Sequence, residues 1–325
     1  MPGTGVRPLI PWFNGSTAGA YGIARYTAAN WELEGGLRYD LRELLVKRFD
    51  PQNQLLTERL PFKGFSASLG ATVRPGPAWK AILQAGTTFR PPHVSELFSD
   101  GLHHAVASLE TGDPSLRAEK AVKGVAAIEF HPHKSLHLQI EGYYTYIGDY
   151  IYLEPQPEPQ LTIRGVFPVF QYTQTDAAIW GGDFGAQWEF LPAFSLEMKG
   201  SALRSRDLAK NSPLIFMPAD RATVELRYDL HTNKKISDAH LSFGIVRTGK
   251  QNNAPEEVDL LPPPGAYSLL QASASCRILL GKQTLSLFLT GTNLLDTSYR
   301  DYLNRLRYYA DEPGRNLVLR MKLDF

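Results

Sequence analysis

The run from His93 to Asp113 carries the first residue types that could do chemistry. His103 and His104 are adjacent, and His93, Glu96, Asp100, Glu110 and Asp113 stand nearby in the chain. Imidazoles with carboxylates are a ligand set for zinc, and histidine also ligates haem iron. Neighbours on a strand point to opposite faces, so His103 and His104 can converge on one ion only from a loop. A solvated polar loop has the same residue mix, which is the plainer alternative. The second stretch is Arg300–Tyr309, Arg-Asp-Tyr-Leu-Asn-Arg-Leu-Arg-Tyr-Tyr. Arg305 and Arg307 suit anions through paired hydrogen bonds, and Tyr308 and Tyr309 suit flat or sugar-like ligands through stacking. Interface aromatics and loop packing are the structural alternative here. Trp12, Phe13, Phe167 and Phe170 allow the same two readings. No nucleophile elbow, Walker loop or zinc-protease motif occurs, so the sequence points away from an enzyme and implies no cofactor.

These residues must be positioned by strands. Leu317, Leu319, Met321, Leu323 and Phe325 alternate with Asn316, Val318, Arg320, Lys322 and Asp324. Successive side chains of a strand face opposite ways, so one face here is apolar and the other mostly charged. The pattern recurs in Trp31–Arg42, in Lys134–Leu153 and in Arg221–His231, where Ala222, Val224, Leu226, Tyr228 and Leu230 oppose Arg221, Thr223, Glu225, Arg227 and Asp229. Such charged rows suit a water-filled lumen; in a sandwich core each unpaired ion would cost several kcal/mol.

About thirteen strands can be counted this way. Short turns at Ala28–Asn30, Pro75–Pro77, Pro132–His133, Leu191–Ala193, Thr232–Lys235 and Leu280–Lys282 alternate with long loops. That alternation is the habit of outer-membrane barrels, with short periplasmic turns and long outer loops. The expected fold is therefore all-β, a transmembrane antiparallel up-and-down β-barrel. The expected loops include Pro8–Ser16, Glu43–Pro61 and Glu154–Gln160, with a bulge or bend at Gly181–Gly182 inside Phe170–Leu191. His131, His133 and His137 fall near a short turn and read as solvated or lumen-facing, not as a site.

Composition agrees. The 325 residues suffice for one large barrel or two soluble domains, and 34 basic against 33 acidic residues give no pull toward nucleic acid. Tyrosine and phenylalanine are plentiful, as in strands and interfacial girdles. No apolar run is long enough for a transmembrane helix, which leaves barrel strands open. Cys276 stands alone, so an intrachain disulfide is excluded.

Several segments resemble one family. Asn293-Leu294-Leu295-Asp296, then Tyr299, then Pro313-Gly314-Arg315 and a last strand ending in Phe325, resemble the carboxy-terminal signature of TonB-dependent outer-membrane receptors. Gly36-Leu37-Arg38-Tyr39-Asp40 and the sequence Phe89-Arg90, Glu96-Leu97-Phe98, Gly112-Asp113-Pro114, Glu119 resemble the same family. The resemblance implies a barrel of about 22 strands around an amino-terminal plug. Residues 1–325 would be its carboxy-terminal part, without plug, TonB box or first strands. It further implies uptake of a scarce nutrient (iron-siderophore, haem, metal or oligosaccharide) across the outer membrane, driven by the proton gradient through TonB. The implied partners are the TonB complex, outer-membrane lipid, a small-molecule or metal-complex ligand and, as a further candidate, a surface lipoprotein. Candidate ligand contacts are His93, His103, His104, Glu110, Asp113, Arg305, Arg307, Tyr308 and Tyr309, with His103 and His104 as the metal pair. A passive porin or adhesin barrel is the competing class. Met1–Arg7 lacks the features of a signal peptide, so a longer precursor or a misplaced start is expected.

Overall fold

The computed structural model describes residues 8–50, 52–233, 235–256 and 258–325; Met1–Arg7 and part of the Thr232–Lys235 turn thus lie outside the described residues. In chain order come β1 (Trp12–Thr27), β2 (Trp31–Phe49), β3 (Leu55–Gly76), β4 (Trp79–Arg90), helix α1 (Val94–Phe98), β5 (Asp100–His103), β6 (Ser108–Thr111), β7 (Glu119–His133) and β8 (Leu136–Pro155). They are followed by β9 (Gln160–Thr162), β10 (Gly165–Phe167), β11 (Val169–Leu191), β12 (Phe194–Asp207), β13 (Arg221–Asp229), β14 (Ile236–Thr248), β15 (Tyr267–Leu280), β16 (Gln283–Thr292) and β17 (Asn316–Asp324).

Thirteen of these pair in the order β1-β2-β3-β4-β7-β8-β11-β12-β13-β14-β15-β16-β17. Every step between them is antiparallel, and β1 and β17 end the row. The sheet is an up-and-down barrel wall left open, a partial barrel. The count and the short-turn parity are those expected from the sequence.

Cross-strand register explains why the sheet holds one course. Ile128 lies opposite Ile140, Ile140 opposite Phe184, Leu226 opposite Phe243 and Leu289 opposite Leu319. Apolar meets apolar at each crossing, and a slip by one residue would set every such side chain among the ions. The apolar face is open: Ile140, Leu69, Leu317 and Phe325 are largely exposed. On the other face ions pair along or between strands, as in Lys80–Glu129 (2.8 Å) and Arg227–Asp229 (2.7 Å).

Some boundaries differ from the sequence reading. β1 already begins at Trp12, and the expected Glu43–Pro61 loop is mostly strand, because β2 runs to Phe49 and β3 starts at Leu55. The reason lies in β2's polar row. Beyond Arg42 that row becomes apolar, and Leu44 and Val46 pack with Val94, Leu97 and Phe98 of α1, Leu116 and Ile151 in one buried cluster. Burial of those side chains and an Arg48–Glu58 bond of 2.7 Å keep the hairpin paired. Glu154–Gln160 is likewise shorter as a loop, since β8 reaches Pro155 and β9 opens at Gln160. Gly181 and Gly182 are in regular register, and the irregularity falls at Asp176. Gly181 serves a different need: a Cβ there would collide with the Ala202 carbonyl and sit 2.6 Å from the Tyr143 hydroxyl.

The carboxy-terminal motif has a physical explanation. Asn293, in the left-handed region (φ 49°), accepts from Thr297 N at 2.8 Å, and Asp296 accepts from Arg315 N at 2.8 Å. A Cβ on Gly314 would lie 2.5 Å from the Asp296 carboxylate. The two motifs thus form one lock that returns the long loop to β17. The other motif residues also meet: Arg90 holds Glu119 (2.5 Å) and Glu96 (2.9 Å), and Glu119 accepts from Ile151 N at 2.7 Å.

Candidate functional site

The two sequence candidates come together at the long-loop end of the sheet. Glu110 lies on β6, which packs parallel against the start of β11 with Glu110 opposite Phe170. Its side chain is almost fully buried (3 % exposed) and accepts from Arg305 Nη2 at 2.8 Å. His103 Nδ1 sits 2.8 Å from the same oxygen. The Arg305 guanidinium also lies 5.3 Å from the Phe170 ring centre. Tyr309 donates to the Ala107 carbonyl at 2.5 Å. Residues nearly two hundred positions apart therefore form one charge-and-aromatic cluster.

Beside it lies a drier knot. Arg307 is 2 % exposed and pairs with Asp259, whose other oxygen accepts from the Tyr308 hydroxyl at 2.6 Å. The Arg307 guanidinium rests 4.9 Å from the Tyr302 ring and 4.6 Å from the Tyr308 ring. Phe170 and Phe216 continue the aromatic chain, so the loops before β13, β15 and β17 close on the start of β11. Burial, with the Asp259 carboxylate beside it, pushes the Tyr302 phenol up to about 12. Burial and the hydrogen bond to Asp259 push Tyr308 up further. A charged arginine this deep persists because Asp259 compensates it.

Not every candidate joins. His93 caps α1, with Nδ1 toward Ser95 and its N–H on Glu96 (2.7 Å). Asp113 is used by Ser115, at 2.8 Å to its N–H and 2.6 Å to its hydroxyl. His103 ends β5 while His104 opens a short 3-10 turn and faces Arg164 at 3.3 Å. The adjacent histidines thus take separate partners. Among the described residues no group of three or more His, Cys, Asp or Glu is arranged to hold a metal ion.

Asp259 and Arg164 escaped the sequence reading. For Asp259 a signal existed: an arginine flanked by tyrosines needs a carboxylate if buried, and the loop before β15 offers few acids. Arg305 Nη1 and Arg307 Nε are buried with no partner among the described residues. Arg305 keeps 19 % of its side chain exposed, so its open edge beside the Phe170 ring, and not these sealed donors, is what an anionic or flat ligand can meet.

The family model for the TonB-dependent receptor-like β-barrel matches residues 2–294. Among solved structures, the copper transporter OprC superposes with a TM-score of 0.76 at 18 % identity, over 96 % of this chain and 48 % of that one. The FrpB iron transporter from Neisseria meningitidis (F3-3 variant) gives 0.65 at 15 % identity, over 94 % and 45 %. The Serratia marcescens hemophore receptor HasR, a double mutant solved with its hemophore HasA and heme, gives 0.65 at 18 % identity, over 95 % and 51 %. This chain thus spans about half the length of these relatives. No curated protein sequence matches it. At such identities the superpositions establish the fold, and the family model establishes membership: the chain belongs to the TonB-dependent receptor β-barrel family.

Proposed function

We propose that residues 1–325 are the carboxy-terminal part of an outer-membrane receptor that imports a scarce nutrient, with energy delivered by the TonB complex. The ligand class is an iron-siderophore, haem, a metal complex or an oligosaccharide. The observation that carries the binding half of this reading is the convergence of Glu110, His103, Arg305 and Tyr309 from distant loops, beside Arg307 and Tyr308. In the proposed orientation this end of the sheet faces outward, so an arriving ligand meets these loops first. His93, His104 and Asp113 take partners outside the cluster, at Ser95, Arg164 and Ser115. Lipid covers the apolar face, and a surface lipoprotein is a candidate partner at the loops.

The test is uptake by cells carrying the full-length gene, with and without TonB. Import that stops when TonB is deleted, and that weakens when Arg305→Ala is introduced, is the expected result. Equal import without TonB would instead mark a passive porin-like barrel.

A further inference from the structure

The apolar face of the β2–β3 hairpin changes character at one level. Trp31, Leu33, Leu37, Tyr39 and Leu41 of β2 are all exposed on it. The row from Trp31 to Leu41 spans about ten residues at about 3.3 Å each, and a strand tilt of about 40° makes it about 25 Å tall. That is the height of a membrane barrel's apolar band, so the hydrocarbon ends near Leu41. Above that level the same rows turn ionic. Leu41 lies opposite Lys63, Glu43 opposite Pro61, Leu45 opposite Arg59 and Lys47 opposite Thr57. Directly opposed residues share a face, so Lys63, Glu43, Arg59 and Lys47 all point away from the Leu44–Val46 side that receives α1.

Glu43 is the one acid in these rows, against three cations. It neutralises them poorly: Arg59 comes only within 3.9 Å of it and keeps 73 % of its side chain exposed. Lys47 lies 5.0 Å from the ring centre of Trp12, its half-exposed neighbour on β1. The short-turn end of the same face carries uncharged rings: Trp79 stacks on Phe130 at 4.0 Å and Phe194 on Tyr228 at 4.6 Å. Rings thus mark one boundary of the apolar band and cations the other, which matches a bilayer whose two leaflets differ in headgroup charge. We propose that Lys47, Arg59 and Lys63, with Trp12 beside them, dock the phosphorylated headgroup of a lipid in the outer leaflet. Its chains would lie along Leu41, Tyr39, Phe65 and Leu69, exposed directly below. The guanidinium supplies paired hydrogen bonds to phosphate and the two ammonium groups supply point charges. The proposal rests on the membrane reading given above and on its outward orientation of the loops.

Native mass spectrometry of the full chain in neutral detergent tests this, with a diphosphorylated glucosamine-based lipid as the probe and its dephosphorylated form as the comparison. The phosphorylated lipid should stay bound and the dephosphorylated one should not. Lys47→Gln/Arg59→Gln/Lys63→Gln should weaken binding about a hundredfold, from about fivefold for each cation at a charged surface. Lys47→Arg/Lys63→Arg keeps the charges and should bind like the unaltered chain, which separates lost charge from lost folding. Lys199→Gln/Arg221→Gln, on the polar face of β12 and β13, should change nothing. Undiminished binding by the triple Gln variant, or an equal loss in the Lys199/Arg221 pair, would overturn the proposal. So would displacement of the lipid by equimolar inorganic phosphate, which would mark a site for the free anion. Equal binding of both lipids would sink this proposal alone, whereas a chain that stays dispersed without detergent and takes up neither lipid would sink the membrane reading with it.

Discussion

Arg307 shows how much one side chain can hold. With Asp259 it joins the loop before β17 to the loop before β15, and both ions are out of water. Arg307→Ala leaves Asp259 buried and unpaired, at a cost of about 3–5 kcal/mol to that arrangement. Loop cleavage by added protease should rise sharply while the strands stay protected. The neighbouring phenols predict an alkaline limit. Tyr302 is shifted from 10.0 to about 12, and Tyr308 also rises, so the fold favours their neutral forms. Their contribution is complete below the ordinary phenol range and disappears as pH climbs past the shifted values. Tyrosinate absorbance in Tyr302→Phe/Tyr308→Phe should lose two of the late-titrating phenols. At this scale the sequence told half the story. Arginine and tyrosine types marked one side of the cluster and Glu110 the other. The pairing of Arg307 with Asp259 depends on loop folding, which local pattern does not encode.

Among elements, the β2–β3 hairpin is the most instructive. Period-two alternation read correctly up to Arg42 and then ended, because Leu44 and Val46 turn the polar row apolar to receive α1. A pattern reader sees mixed faces and writes a loop; the register shows a strand whose inner side has changed solvent. Leu44 is fully buried, so Leu44→Ala should cost about 2–5 kcal/mol and loosen α1 with it. Hydrogen exchange confined to Val94–Phe98 and the tip of the hairpin is the expected readout. The Asn293–Asp296 and Pro313–Arg315 segments were legible for a different reason. Their residue types are demanded by backbone geometry, so sequence and structure carry the same information.

For the molecule as a whole, the apolar rows form one continuous stripe from β2 to β17. Leu319 faces Leu289 within it. Leu319→Arg should cost about 2–4 kcal/mol if that position lies at the bilayer midplane, and nearly nothing in a soluble sheet. Refolding yield into lipid vesicles measures the difference. The architecture was readable because alternation, turn parity and chain-end motifs all agreed. The wall itself is uneven. β3 has 22 residues and β11 has 23, whereas β13 and β17 have 9 each. At about 3.3 Å per residue the short strands barely cross a hydrocarbon layer, while the long ones stand well clear of it. The rim is therefore a pair of battlements with low saddles between, and a bulky visitor such as an antibody or phage fibre would touch the high flanks long before it reached the floor.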